Sequence, residues 1–185
     1  MFTFDNERMS DGADINLLLD KVFGKNRLEK ASYDLRSGVA PIHALSTVVR
    51  HADGLAATIR YWPILVKDLI LGSSEEALLL GPLAVDPDLQ GSGVGSSLVR
   101  FSLERASAAG FERILLVGDA DYYGRFGFVP VLPSFITLPG GRDARRLLVR
   151  QSARFSSLPA VGTLQPFSEQ LQHSAGISLK PAFAL

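Results

Sequence analysis

The chain has 185 residues, of which 46 % are apolar and 21 % charged, proportions of an ordinary globular domain that argue against a disordered or fibrous chain. Nineteen Lys plus Arg balance nineteen Asp plus Glu for a formal net charge of zero. That removes the simplest case for nucleic acid as the main partner, because phosphate binding draws on a positive excess. Cysteine is absent, which excludes disulfides, thiolate catalysis and cysteine-based zinc sites. One domain is expected at this length, large enough to bury roughly two-thirds of its unfolded surface. The most apolar stretch, Ala77 to Val85, is about half the length needed to cross a bilayer. The segment Met1-Phe2-Thr3-Phe4-Asp5 has neither the basic region nor the apolar core of a secretory signal, so the expected compartment is the cytoplasm, with no membrane partner.

Residues Phe2 to Arg8 alternate like a short strand. Ile15, Leu18, Leu19 and Val22 then fall on one helical face, with Ser10 or Asp11 available as a cap and Gly24 as a stop. Leu28, Ala31, Ser32 and Leu35 repeat that spacing before Gly38, predicting a second helix. Two β-rich runs, Ala44 to His51 and Leu55 to Val66, flank Asp53-Gly54, a pair that marks a hairpin because a tight turn needs positive φ. Ser73 to Glu76 reads as a polar break, and Ala77 to Val85 as a strand buried on both faces. Asp86 to Gln90 leads into a glycine-rich segment. A helix carrying Gly95, Val99, Leu103 and Ala106 follows and ends at Gly110. Arg113 to Val117 reads as the next strand, so residues 77 to 118 form a strand-helix-strand unit with a parallel pair. A short helix over Asp121 to Phe126, a strand from Phe128 and a last strand at Leu147 to Val149 complete a mixed α/β class. One domain over 1–163 is expected, with 164–185 as a loosely ordered extension rich in Pro, Ser, Gln and Gly.

The chemically informative segment is Gln90-Gly91-Ser92-Gly93-Val94-Gly95-Ser96. Glycines at alternate positions let a backbone approach a ligand closely, and the positive end of a helix behind them suits phosphate oxygens. A P-loop would need a Lys after the last glycine, where Ser96-Ser97 stands. A dinucleotide fingerprint would need Gly in place of Ser96 and no gap after the strand.

Gln90-x-x-Gly93-x-Gly95 resembles the Gln/Arg-x-x-Gly-x-Gly/Ala signature of the GNAT superfamily of acyl-CoA-dependent N-acetyltransferases. The resemblance extends through Leu80-Gly81-Pro82-Leu83-Ala84-Val85-Asp86-Pro87 and through Asp119-Ala120-Asp121-Tyr122-Tyr123-Gly124-Arg125-Phe126-Gly127-Phe128. The latter ending is similar to that of a bacterial subgroup of small predicted acetyltransferases. The resemblance implies a GNAT fold: a mostly antiparallel sheet with a splayed parallel strand pair and flanking helices. It also implies acetyl-CoA as co-substrate. Its pantetheine would pair with Leu83, Ala84 and Val85, and its pyrophosphate would lie on the N–H groups of Gln90, Gly91, Ser92, Gly93, Val94, Gly95 and Ser96. Asp119 is a weaker candidate neighbour of the pantetheine.

The implied reaction is direct attack of a primary amine of a small molecule, peptide or protein on the thioester, through a tetrahedral intermediate. An amine with pKa near 10 must lose a proton first. The oxyanion needs a donor, for which a backbone N–H of the 83–85 edge is placed in the family. Tyr123 matches the tyrosine that protonates or stabilises the departing thiolate, while Tyr122 reads as a packing residue. The base is not evident: Ala77 to Val85 contains no carboxylate, and Glu75 and Glu76 read better as an exposed turn than as a base acting through water. His43 and His51 read as surface or half-buried residues, with no metal-ligand spacing around them. Arg142, Arg145, Arg146, Arg150 and Arg154 form a block that could meet the CoA 3′-phosphate or an acidic partner, though a solvated face is the simpler reading. Tyr61 and Trp62 read as core. The alternative function is a non-catalytic acyl-CoA sensor or partner subunit on the same fold. Homodimers are common in such a family.

Overall fold

The computed structural model describes residues 2–51, 54–131, 135–141, 144–155 and 157–167. Its elements are β1 (Thr3–Asn6), α1 (Gly12–Phe23), α2 (Ala31–Asp34), β2 (Thr47–His51), β3 (Gly54–Asp68), β4 (Ser74–Val85), α3 (Val94–Ala108), β5 (Arg113–Val117), α4 (Ala120–Tyr123), β6 (Val129–Pro130), β7 (Phe135–Thr137), β8 (Leu147–Gln151) and β9 (Val161–Pro166). One sheet takes the order β1-β2-β3-β4-β5-β8-β6, with β9 paired to both β3 and β7. The β4–β5 and β7–β9 pairs are parallel and the others antiparallel. The mixed α/β class and the strand-helix-strand unit stand as expected.

β4 is buried on both faces because its side chains alternate between two cores. Leu78 and Leu80 pack with Leu98, Val99, Leu103 and Ala106 of α3. Ala77 and Leu79 face Leu35, Trp62, Ile64 and Leu115 on the other side. α1 uses Ile15, Leu18 and Leu19 to cover Val48 and Ala84. Tyr61 is fully buried and Trp62 nearly so, which makes both core residues, as read from the sequence.

Several boundaries differ from the sequence reading. The second helix is broken: a 3₁₀ turn over Lys25–Glu29 is followed by extended backbone at Lys30 (φ −71°, ψ 135°) and the single turn of α2. Ser74, Glu75 and Glu76 belong to β4, not to a turn, because they pair with Lys67, Val66 and Leu65 and because Arg113 of β5 bonds the Glu75 carboxylate. The turn lies earlier, at the exposed Leu69, Ile70 and Leu71. The predicted helix over 121–126 is α4 followed by a 3₁₀ turn over Gly124–Phe126. β7 and β9 were not foreseen. β9 crosses the expected 163/164 boundary: Leu164 to Pro166 pair with Val66 to Ile64 of β3, and Leu164 is fully buried. The β2–β3 hairpin forms with His51 opposite Gly54, while Asp53 of its turn lies outside the described residues.

Candidate active site

β4 and β5 pair at Leu78–Ile114 and Leu79–Leu115 and no further. Past that point β4 stays with β3, while β5 stays with β8 through Val117. The cause of the divergence is a bulge. Between the pairs Tyr61–Leu80 and Ile59–Leu83, β3 contributes Arg60 and β4 contributes both Gly81 and Pro82. An extra residue bends and twists its strand, Gly81 takes a φ of 124°, and Pro82 has no N–H to give to a ladder. The Gly81 carbonyl instead accepts a 2.7 Å hydrogen bond from Trp62 Nε1.

Backbone alternation then decides what the open edge offers. Asp86 N–H donates to the Ala56 carbonyl at 2.8 Å, and Val85 stands opposite Ala57. Ala84 therefore directs its N–H and C=O toward β3, and Leu83 and Val85 direct theirs to the edge that β5 has left. Of the three residues expected to pair with pantetheine, two have backbone groups there, and Ala84 does not.

The glycine loop opens beside that edge. Gln90 and Ser92 N–H groups donate to Pro87 and Leu89 carbonyls at 3.2 and 3.3 Å, so these two of the expected phosphate donors are held in turns. Gly93 caps α3 at φ 86°, a left-handed conformation that favours glycine. The N–H groups of Val94, Gly95 and Ser96 head the helix without intrahelical acceptors, backed by the dipole of a 15-residue helix. A Cβ on Gly91 or Gly93 would meet nothing within 4 Å, so the loop borders open space. A Cβ on Gly95 would lie 3.1 Å from Val85 Cγ2 and 3.4 Å from the Tyr122 hydroxyl. Gly95 thus lets the helix start close onto the end of β4.

Between the diverging strands lies a cavity of about 600 Å³, bounded by Gly81, Pro82 and Leu83 on one side and by Val117, Gly118, Asp119, Tyr122 and Tyr123 on the other. Asp119 accepts from the N–H groups of Asp121 and Tyr122 at 2.8 and 3.4 Å, capping α4. It thereby positions the two tyrosines. The Tyr123 ring packs on Gly118, where an added Cβ would lie 2.6 Å from Cε2. Burial pushes the Tyr123 phenol pKa well above its usual value, Tyr122 pushes it further, and Arg146 pulls against them. The hydroxyl is therefore protonated at neutral pH and able to donate. Tyr122 also borders the cavity, a role beyond the packing expected of it.

The remaining wall comes from the segment around α2. Arg27, Lys30, Tyr33 and Arg36 all line the cavity, as does Arg146 from before β8. Sequence reasoning missed these α2-side residues, although their spacing by three is a signal for one side of a 3₁₀ turn or helix. Arg27 is neutralised by Asp20 at 2.7 Å and holds the Tyr33 hydroxyl at 2.9 Å. Arg36 Nε and Nη1 are buried without a hydrogen-bond partner. Its guanidinium lies 4.4 Å from the Tyr33 ring centroid and 5.7 Å from that of Trp62. Burial lowers its pKa to about 10, with Tyr33 opposing the shift and Arg60 and Arg27 adding to it.

Other candidates fall elsewhere. Glu75 and Glu76, near the start of β4, do not line the cavity, and neither do His43 and His51. His43 Nδ1 is 3.2 Å from Glu7, and His51 packs on Phe2. The arginine block disperses: Arg146 reaches the cavity, Arg150 lines a separate cleft with Arg100 and Arg125, and Arg154 pairs with Glu112 at 2.7 Å. Arg145 is exposed, and Arg142 lies outside the described residues. Among the described residues, no helix is long and apolar enough to cross a membrane.

The family model for the acetyltransferase (GNAT) family matches residues 15–128, the span that contains the splayed strands, the glycine loop and both tyrosines. The chain belongs to that family. It is an acetyltransferase, and its co-substrate is acetyl-CoA. It is 31 % identical over 131 residues to the uncharacterized N-acetyltransferase YjhQ of Escherichia coli K12, covering 70 % of each chain. It is 28 % identical to the uncharacterized N-acetyltransferase YhbS of the same strain, over 64 % of this chain and 68 % of that one. The solved structure of E. coli YhbS in complex with CoA shares the fold with a TM-score of 0.69 at 23 % identity, over 96 % of this chain and 94 % of that one. A GNAT family acetyltransferase from Brucella melitensis in complex with acetyl-CoA does so with a TM-score of 0.64 at 23 % identity, over 91 % and 97 % of the two chains.

Proposed function

We propose that this acetyltransferase moves the acetyl group to a primary amine of a small molecule, peptide or protein by direct attack within the β4–β5 cavity. The observation that carries the reading is the open edge of Leu83 and Val85, with Leu83 and Tyr123 in the cavity wall and the start of α3 at Gly95 set against Val85 and the Tyr122 hydroxyl. Acetyl-CoA supplies an activated thioester when bound. The N–H groups of Val94, Gly95 and Ser96 receive its pyrophosphate, and the edge of Leu83 and Val85 pairs with the pantetheine amides as a further strand would. An edge N–H donates to the carbonyl oxygen as that oxygen gains charge. The C–N bond forms, the C–S bond breaks, and one amine proton passes to solvent. The Tyr123 hydroxyl donates a proton to the sulfur and recovers one from water.

Thermal unfolding with acetyl-CoA, CoA and NADH tests the donor site. Ligand at about 100 times its dissociation constant stabilises by about 2.7 kcal/mol, or about 5 to 10 °C for a chain of this size. Both CoA species are expected to raise the midpoint, and NADH is not. Tyr123→Phe should retain the shift and lose about 10²-fold in turnover. Binding without acetyl transfer to any amine would favour the sensor alternative.

A further inference from the structure

The cavity wall around α2 and before β8 carries a charge that the donor site does not use. Lys30, Arg36 and Arg146 line it. Asp119 is the one carboxylate among the described lining residues, and its Oδ1 is engaged in capping α4. Two Arg36 nitrogens, Nε and Nη1, are buried without a hydrogen-bond partner, a costly arrangement for a guanidinium unless a ligand completes it. Its position is well defined. Tyr33 and Trp62 rings lie against it, and Nη2 sits 3.6 Å from the position a Cβ on Gly81 would take, at the bulge where β4 leaves β5. After burial and Tyr33, the groups that bear on it are Arg60 and Arg27, both positive, and these two already hold Glu7 and Asp20.

Resting on the acetyl-transfer reading above, we propose that the acceptor is an amine that also carries an oxyanion, a carboxylate or a phosphate, received by Arg36. A guanidinium fork matches either oxyanion. The same cations disfavour the ammonium form of an amine held among them, which increases the share of free amine able to attack.

The test uses the full chain with saturating CoA, so that the CoA phosphates occupy their own sites. Trp62 is the only tryptophan in the chain and lies beside Arg36, so its fluorescence reports on this wall. Acetate, inorganic phosphate and the neutral acetamide are titrated in turn. A saturable change is expected with at least one oxyanion and none with acetamide, and Arg36→Gln should weaken the oxyanion by about 10- to 100-fold. Which of acetate and phosphate binds identifies the anion. Glycine against glycinamide, and phosphoethanolamine against ethanolamine, then compare acceptors. The anionic member of the matching pair should lead by at least about tenfold in kcat/KM, with Arg36→Gln raising its KM and erasing the lead. Thermal unfolding of Arg36→Gln and Arg36→Lys controls for folding. Equal responses to acetamide and the oxyanions, no response to either oxyanion, or unchanged affinity in a folded Arg36→Gln would overturn the proposal. The binding arm decides even where none of the four amines turns over. Loss of the thermal shift with CoA would instead count against the donor-site reading.

Discussion

Gly118 and Tyr123 provide a sharp test of how the cavity is built. A Cβ on Gly118 would stand 2.6 and 2.8 Å from Tyr123 Cε2 and Cδ2, and 2.8 Å from Leu116 Cδ1. The closest of these is about 0.8 Å short of ordinary contact, which begins near 3.4 Å. Leu116 is buried and resists displacement, so Gly118→Ala must move the Tyr123 ring. Overpacking of this kind costs about 1–3 kcal/mol, seen as a fall in midpoint of about 2 to 4 °C per kcal/mol. A catalytic group misplaced by about 1 Å loses on the order of 10²-fold in rate. Steady-state release of CoA from acetyl-CoA, measured for Gly118→Ala, Tyr123→Phe and the double variant, separates the two effects. Each single variant should lose about 10²-fold in kcat, and the double variant should be little slower than Tyr123→Phe. A folded Gly118→Ala with normal kcat, or losses that simply multiply, would refute the reasoning that Gly118 acts by leaving room for the Tyr123 ring.

Two further outcomes follow from the same geometry. Gly93→Ala should cost about 1–2 kcal/mol of stability for a left-handed residue yet keep CoA affinity within about threefold, because no atom lies where its Cβ would project. Gly93→Glu should weaken CoA by more than about tenfold by bringing a negative charge to the phosphates; equal affinities by calorimetry would remove the loop from the site. Stability should also fall in alkali. Burial raises the phenol pKa values of Tyr61 and Tyr123 above the unfolded value, so their contribution is present below a pH of about 10 and is lost as pH rises beyond it. Denaturant midpoints from pH about 8 to about 11 should show that decline, and Tyr61→Phe should flatten it; a level curve for the parent protein would contradict the burial argument.

The parts of the molecule legible in sequence are those governed by local pattern. The apolar face of α1, the buried run of β4, the loop from Gly91 to Gly95 and the stop at Gly110 all follow from spacing and backbone freedom. What was hidden depends on partners remote in the chain. Ser74 to Glu76 read as a turn because nothing local announces the Arg113 that holds Glu75 in β4. The second half of β9 read as tail because its partner strand β3 lies about a hundred residues earlier. The chemistry divides in the same way: Gly93 and Gly95 stand in one short motif, and Asp119 and Tyr123 in another. Arg36 acquires its significance from Trp62 and Gly81, which only the folded bulge brings beside it. The fold adds Glu75 and Glu76 to the start of β4, yet neither lines the cavity, whose charged lining is mostly cationic.

Amide hydrogen exchange with and without CoA tests the placement of the donor site most directly. CoA is expected to protect Leu83 and Val85 on the open edge of β4 and Val94 to Ser96 at the head of α3. Ala84 should change little, because its N–H already faces β3. Saturating CoA that leaves Leu83, Val85 and the α3 N-terminus unprotected would contradict the account and place the acyl donor outside the β4–β5 cavity.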